Sequence, residues 1–390
     1  MTAALLDKRI RLHPDVVVSR PLLRGTGEVG LVKDLRTGRA YEVAPKEHFL
    51  LAHLDGRRTL GEIGEEYARA FGRRLGEVNW TQLLQLLYGR SLLDVPEPGD
   101  HPEPAQPPPM LAFVDACHRR VRRALAPPVL LALAGLVLAT LVLLAVHAAE
   151  LGRGVWWLLQ HSPWLVAVLL LTGFSAALHE LAHGVLARHY GARVTRVSLV
   201  TLHCHVDDYP YLRSRAHQVA IAGAGTLVNG LVLVPLTVAW LALAPGTAPR
   251  AALAGMLLVG ALQTVVNLVP LPPLDGYRAL GHALNTARLA TDSRQFLRLA
   301  LARAVGGGPG IGGYSRRARI VYGTYGLVAS ALIGAAVAGV VLLGRWLAVD
   351  SLGSSVVLIA VVAASMTLAG WLARPDRPRT TREPQEGGTR

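Results

Sequence analysis

Apolar positions along this chain change their spacing near residue 96 and again near residue 110. In the first stretch they come in short groups. Val29-Gly30-Leu31-Val32-Lys33 and Arg39-Ala40-Tyr41-Glu42-Val43 are short strand candidates flanking Asp34-Leu35-Arg36-Thr37-Gly38, a hairpin turn. Helical patterns follow. One runs from near Pro45 through His48-Phe49-Leu50-Leu51, a second opens with the capping box Thr59-Leu60-Gly61-Glu62, and a third opens near Asn79 and carries Leu83, Leu84, Leu86 and Leu87. A hairpin with three short helices predicts a small winged-helix-like α/β domain over residues 1–95.

Between Pro96 and Pro109 the pattern stops. Seven of those fourteen residues are proline, a composition that favours extended polyproline backbone and cannot build a core. Residues 96–110 therefore read as a semi-rigid linker.

Beyond it, apolar runs become long enough to cross a bilayer, which needs about 20 residues at 1.5 Å each. Six are expected, near 128–149, 164–187, 217–243, 251–270, 320–343 and 354–373. The fold class this predicts is mostly α: a polytopic helical membrane protein, its membrane domain spanning 111–373 and followed by a basic, disordered tail over 374–390. Arginine placement orients it, because cations resist translocation. Twenty-two arginines fall in the segments on one side of these spans, and only Arg153, Arg250 and Arg345 on the other. Both termini are thus expected on the cytoplasmic side of the cell membrane.

Composition agrees with a chain that faces lipid. Of 390 residues 52% are hydrophobic and only 17% charged, which excludes a disordered protein and an ordinary soluble enzyme. The net charge of +14 need not mean nucleic acid, since the cations follow topology. Two distant cysteines, Cys117 and Cys204, form no CxxC pair, so a disulfide framework and a cysteine zinc ribbon are both unsupported. The N-terminal residues lack the apolar stretch and small-residue cleavage site of a secretory signal.

The chemistry lies inside the apolar runs. Near the inner end of the second stands His179-Glu180-Leu181-Ala182-His183, two imidazoles four residues apart on one helix face, able to reach a single metal ion. Glu180 between them is poised to take a proton from metal-activated water. Three ionisable groups inside an apolar span cost several kcal/mol unless paired or bound to an ion. The plain alternative is a histidine pair that packs against neighbouring helices by hydrogen bonds. A tetrahedral catalytic zinc takes three protein ligands, and the fourth span supplies a third donor. It ends Asn267-Leu268-Val269-Pro270-Leu271-Pro272-Pro273-Leu274-Asp275-Gly276, where the prolines break the helix and leave a carboxylate at membrane depth. Alternation of the spans brings His179, His183 and Asp275 to the same leaflet. A proline-rich turn capped by an ordinary Asp-Gly is the competing reading.

HELAH on one span, NLVPLPPLDG two spans later and Gly225-Thr226-Leu227-Val228-Asn229 between them resemble the HExxH, NxxPxPxxDG and GxxxN motifs of site-2 proteases, intramembrane zinc metalloproteases. The likeness covers residues 164–285. It implies one Zn2+ held by His179, His183 and Asp275, Glu180 as general base, and Asn267 near the substrate backbone. Gly225 and Asn229 would orient that core, or serve only as a small-xxx-polar helix contact.

The first domain, with its hairpin and His53-Leu54-Asp55-Gly56-Arg57-Arg58-Thr59-Leu60-Gly61-Glu62-Ile63, resembles PqqD-like domains that recognise leader peptides of ribosomally made, modified peptides. That resemblance implies a precursor peptide as partner, bound by residues 1–95, with peptide-modifying enzymes or an exporter in the same system. A purely structural or regulatory module is the alternative; nucleic acid is not expected, because Asn79–Gly89 has no arginine or lysine for phosphates. Leader removal from such a precursor is the function these likenesses imply together. Cleavage of a membrane-bound signalling factor, or a non-enzymatic metal-binding subunit or transporter component, are the rivals.

Other features carry less. His203-Cys204-His205 with Asp207 and Asp208 would put alternate histidines on one face near the site's mouth, or is ordinary loop polarity. His189 and Tyr190 read as interfacial anchors. Gly306-Gly307-Gly308-Pro309-Gly310 lacks the Lys-Ser/Thr of a phosphate loop and reads as a flexible connection. The arginine-rich tail suits acidic lipid heads.

Overall fold

The computed structural model describes residues 5–94, 109–199, 201–206, 208–307 and 310–347. The protein is mostly helical and divides into two compact units, Met1–Arg24 with Glu28–Ala287, and Gly25–Gly27 with Arg288–Arg390.

The first unit begins with a four-stranded sheet: β1 (Val16–Val18), β2 (Leu22–Arg24), β3 (Gly27–Asp34) and β4 (Ala40–Val43). β3 is the hub, with β1 and β4 both antiparallel to it; Val16 faces Asp34, and Gly30 faces Val43. The turn between β3 and β4 is organised by Asp34, whose carboxylate accepts from the Arg36 amide at 2.9 Å and from the Thr37 hydroxyl at 3.1 Å. Gly38 completes it at φ 71°, a left-handed conformation that costs glycine nothing. β1 and β2 were not legible in the apolar pattern, since three residues are too few to display a period.

Three helices cover this sheet: α1 (Pro45–His53), α2 (Leu60–Phe71) and α3 (Glu77–Gly89). α2 starts at the expected capping box, where the Glu62 amide donates to Thr59 Oγ1 at 3.2 Å and the Thr59 amide donates to Glu62 Oε2 at 2.7 Å. Leu60, Ile63 and Trp80 are sealed in one apolar cluster with Val32, Leu50, Leu51 and Leu87. Burying such side chains stabilises this part by about 1.5–3 kcal/mol each.

The same unit continues with α4 (Pro109–Val121), α5 (Pro127–Val146), α6 (Ala148–Gln160), α7 (Ser162–His189), the hairpin β5 (Val194–Ser198) and β6 (His203–Val206), then α8 (Arg215–Ala242), α9 (Ala248–Asn267) and α10 (Asp275–Ala283). α5, α7, α8 and α9 are long and apolar enough to cross a membrane. Their outer faces expose large side chains, among them Leu131, Leu138, Leu169, Leu170, Phe174 and Val238. An apolar surface this extensive suits a lipid bilayer. The connection between the first two expected spans is itself a helix, α6, too short at 13 residues to cross. It is pinned to α9 by the ion pair of Glu150 with Arg250 at 2.8 Å. Gly154 and Gly255 let the two backbones approach, since a Cβ on Gly154 would lie 2.5 Å from the Gly255 nitrogen.

The second unit contains α11 (Leu289–Ala304) and α12 (Arg316–Leu347), and α12 includes a fifth apolar helix of spanning length, Arg316–Gly339. Gly326 receives Leu297 against its backbone, and the Tyr322 hydroxyl donates to buried Asp292 at 3.2 Å. The sixth expected span, the tail and most of the proline-rich linker lie outside the described residues.

Candidate metal centre

The 28-residue α7 is about 42 Å long, and His179 stands ten residues, or about 15 Å, before its end. His183 lies one turn on, so both imidazoles leave the same face. That face meets α8. A Cβ on Gly225 would fall 2.4 Å from the His179 ring, so only glycine gives the imidazole its place there. The irregular segment 268–274 then ends α9 and delivers Asp275 as the first residue of α10.

Three donor atoms meet at this point. His179 Nε2 lies 2.9 Å from Asp275 Oδ2, His183 Nε2 lies 3.2 Å from the same oxygen, and the two nitrogens are 3.2 Å apart. All three residues are buried. Ligands at 2.0–2.1 Å around a tetrahedral ion are separated by about 3.3 Å, close to what is found. This group could hold a metal ion, and among the described residues no other cluster of three such donors comes as close together.

The hydrogen bonds leave the three donor atoms free to face a cation. His183 Nδ1 lies 2.7 Å from the Ile221 carbonyl, and a carbonyl only accepts, so the ring's N–H is committed there. The neutral ring then directs a bare Nε2 lone pair at a carboxylate oxygen and a second imidazole. Lone pair against lone pair in a buried site is repulsive, so something positive or a donated N–H must sit between them. A proton on His179 Nε2, a second proton on His183 or a metal ion would each supply it. The Ile221 bond is also the kind of outer contact that fixes a ligating imidazole's tautomer and ring plane.

Glu180 is half-buried beside the donors. Its charge reaches Cys204 on β6, whose thiol is pushed up to about 12 by burial and by Glu180, against the opposing Arg278. Cys204 is therefore a neutral thiol while the site stays closed, and reacts slowly. Arg278, one turn beyond Asp275, has Nη1 3.7 Å from the carboxylate oxygen turned away from the histidines. His282, one turn further, packs edge-on against Tyr209 at 4.2 Å. Burial and then Arg278 depress His282 to about 4, while burial raises Tyr209 well above its ordinary value; both are neutral at pH 7.

The other expected site residues fall at different distances from the donors. Gly225 touches His179 directly. Asn229, one turn along α8, is buried and accepts from the Ser175 hydroxyl at 3.0 Å; Ser175 is one turn before His179. Asn267 closes α9 and is half-buried, and none of the hydrogen bonds or ion pairs of the three donors involves it. His203 and His205 are exposed on one face of β6, with Cys204 turned inward toward Gly184 of α7; they do not join the donor cluster. Asp207 lies outside the described residues. Sequence reasoning missed Ser175 and Arg278, although each stands at helical spacing from a donor. The Ile221 carbonyl had no sequence signal, being backbone.

Comparison with protein-family models, with curated proteins and with solved structures gives no match.

Proposed function

We propose that the protein is an intramembrane zinc peptidase. The carrying observation is the convergence of His179, His183 and Asp275 within reach of a single ion, with the Glu180 carboxyl group next to them in the helix. Two imidazoles and one carboxylate suit zinc, leaving one position open. Zinc bound there would supply Lewis acidity toward water and a peptide carbonyl. Glu180 takes a proton from the attacking water as its oxygen bonds to the carbonyl carbon. It hands that proton to the departing amine as the C–N bond breaks. The Ile221 carbonyl and the Gly225 backbone hold the two imidazoles in register throughout. The surrounding apolar helices exclude bulk water, which strengthens each of these interactions.

The substrate reading rests on the N-terminal module. β4 pairs with β3 alone among the described strands, so its other edge is open to an added strand. Beside this sheet, α3 exposes Val78, Leu86 and Tyr88 and carries no basic residue. An open strand edge, with a helix in the same module that exposes apolar side chains and carries no basic residue, suits an extended peptide better than phosphates. A winged-helix-like, PqqD-like module of this kind holds the leader of a modified precursor peptide while the membrane site removes that leader. The arginine bias supports a cytoplasmic position for both termini, and Arg250, on the sparse side, is paired with Glu150.

Glu180→Gln tests the enzyme. With the precursor encoded nearest this gene as substrate, the variant keeps zinc and loses processing by about three orders of magnitude or more. Undiminished processing removes Glu180 from the reaction. Processing only of a membrane-bound signalling factor points to the regulatory rival, and zinc without hydrolysis of any peptide in the parent protein points to a structural metal.

A further inference from the structure

α10 has only nine residues, and its first, Asp275, is the third donor. Whatever holds α10 therefore sets that donor's position. Two independent links tie it to β2 and β3 of the N-terminal module, more than 240 residues earlier in the chain.

The first is a strand pairing. α10 ends at Ala283, and Asn285 just beyond its cap adopts φ 56° while its amide donates to the His282 carbonyl at 3.1 Å. Asparagine tolerates that left-handed conformation better than most residues. The turn aims residues 285–287 at β2. The Leu23 amide donates to the Asn285 carbonyl at 2.8 Å, and the Ala287 amide donates to the Leu23 carbonyl at 3.0 Å, a parallel bridge centred on Thr286. The Asn285 side-chain amide donates to the Pro21 carbonyl. Leu23 itself is 2% exposed, so the junction is dry.

The second link is a buried ion pair. Lys33 on β3 reaches Asp208 Oδ1 at 3.5 Å, with side chains only 9% and 10% exposed. A pair this buried survives only when both charges stay together, so it fixes the segments that carry it. Asp208 opens the short turn Tyr209–Tyr211, and the Tyr209 ring lies against His282 on α10. Asp208 also follows β6 closely, and β6 passes the site at Cys204. Both links converge on α10, one at its end and one on its flank.

We propose that the N-terminal module is part of the frame of the metal centre. Lys33 acts as a positioning residue through Asp208 and Tyr209, and β2 anchors the end of α10. The module is thereby placed to transmit its own occupancy to Asp275. This inference rests on the metal reading above, and its test separates the two.

The full-length protein in detergent is stripped of metal and titrated with Co2+, in a Cys117→Ala background that leaves Cys204 as the sole thiol. Lys33→Met is expected to weaken Co2+ binding about tenfold, as lost outer-sphere support does, to shift the visible bands of the bound ion and to speed maleimide labelling of Cys204. Lys33→Arg restores all three. A purely structural lysine would lower thermal stability and leave the bands of the folded protein unchanged. Asp208→Asn, nearly isosteric, gives the same direction and serves if Lys33→Met does not fold. Folded variants with parental affinity, bands and labelling overturn the proposal. If the parent takes up no Co2+, the metal reading has failed, and labelling alone decides the coupling: faster labelling supports it and unchanged labelling overturns it.

Discussion

The protein contains two cores built on opposite principles. In the N-terminal module, Leu60, Ile63 and Trp80 pack in a cluster that is almost wholly apolar. Among the spanning helices the relation is inverted: lipid-facing surfaces are leucine and valine, and the buried face of α7 carries Ser175, His179 and His183. The first core is held by area, which is non-directional and forgiving of shape. The second is held by aimed contacts, a carbonyl to one ring and a bare glycine to the other, and forgives little. A membrane protein gains nothing from hiding apolar groups from lipid, so its interior is free to be polar wherever polarity has a use.

This contrast can be broken in order of size. Ile63→Ala should cost the module about 3 kcal/mol, read by hydrogen exchange along Leu60–Phe71, whereas Ile63→Val should cost about 1 kcal/mol. If both cost the same, the module's core is not volume-limited. In the polar core one methyl group should do comparable harm. Gly225→Ala presses a carbon into the His179 ring and should weaken Co2+ binding about thirtyfold, equivalent to about 2 kcal/mol. Gly223→Ala, on the same helix with nothing within 4 Å, should leave affinity within about twofold, and is the control. Equal behaviour of the two glycines would mean that His179 is not seated as described.

The smallest effect is a pH dependence of the module. Burial raises the Asp55 carboxyl, but the amides of Arg57 and Arg58 and the Arg58 side chain outweigh it and hold the group down to about 2 from 3.8. A depressed carboxyl stabilises the fold above its unfolded value and ceases to do so as pH falls through the folded one. The module's exchange protection should thus be level above pH 4 and decline between about 4 and 2. Asp55→Asn should flatten that decline by a small amount, since the pair is a third exposed and solvent-screened.

Much of the candidate metal site is legible in the amino-acid order. HELAH at helical spacing within an apolar run, and an Asp-Gly after a broken span, name the three donors by chemistry and depth alone. The capping box at Thr59 and the hairpin at Asp34 were equally plain, because each is closed by residues within four positions of one another. What escaped notice involved partners far along the chain. β1 and β2 are too short for a period, and β2 finds its second partner at Thr286. Lys33 reads as an ordinary strand lysine until Asp208 is brought beside it.

Local chemistry was therefore decided by the amino-acid order itself: which segments are apolar enough for lipid, where helices start, and which side chains could hold a cation. Such features depend on a few neighbouring residues, and their energies arise within one or two turns. Only the tertiary structure decided that Ile221 orients His183, that Gly225 seats His179, and that β2 and Lys33 reach the helix bearing Asp275. Those are contacts between backbone groups or between residues more than thirty positions apart, and nothing in the identity of one partner announces the other.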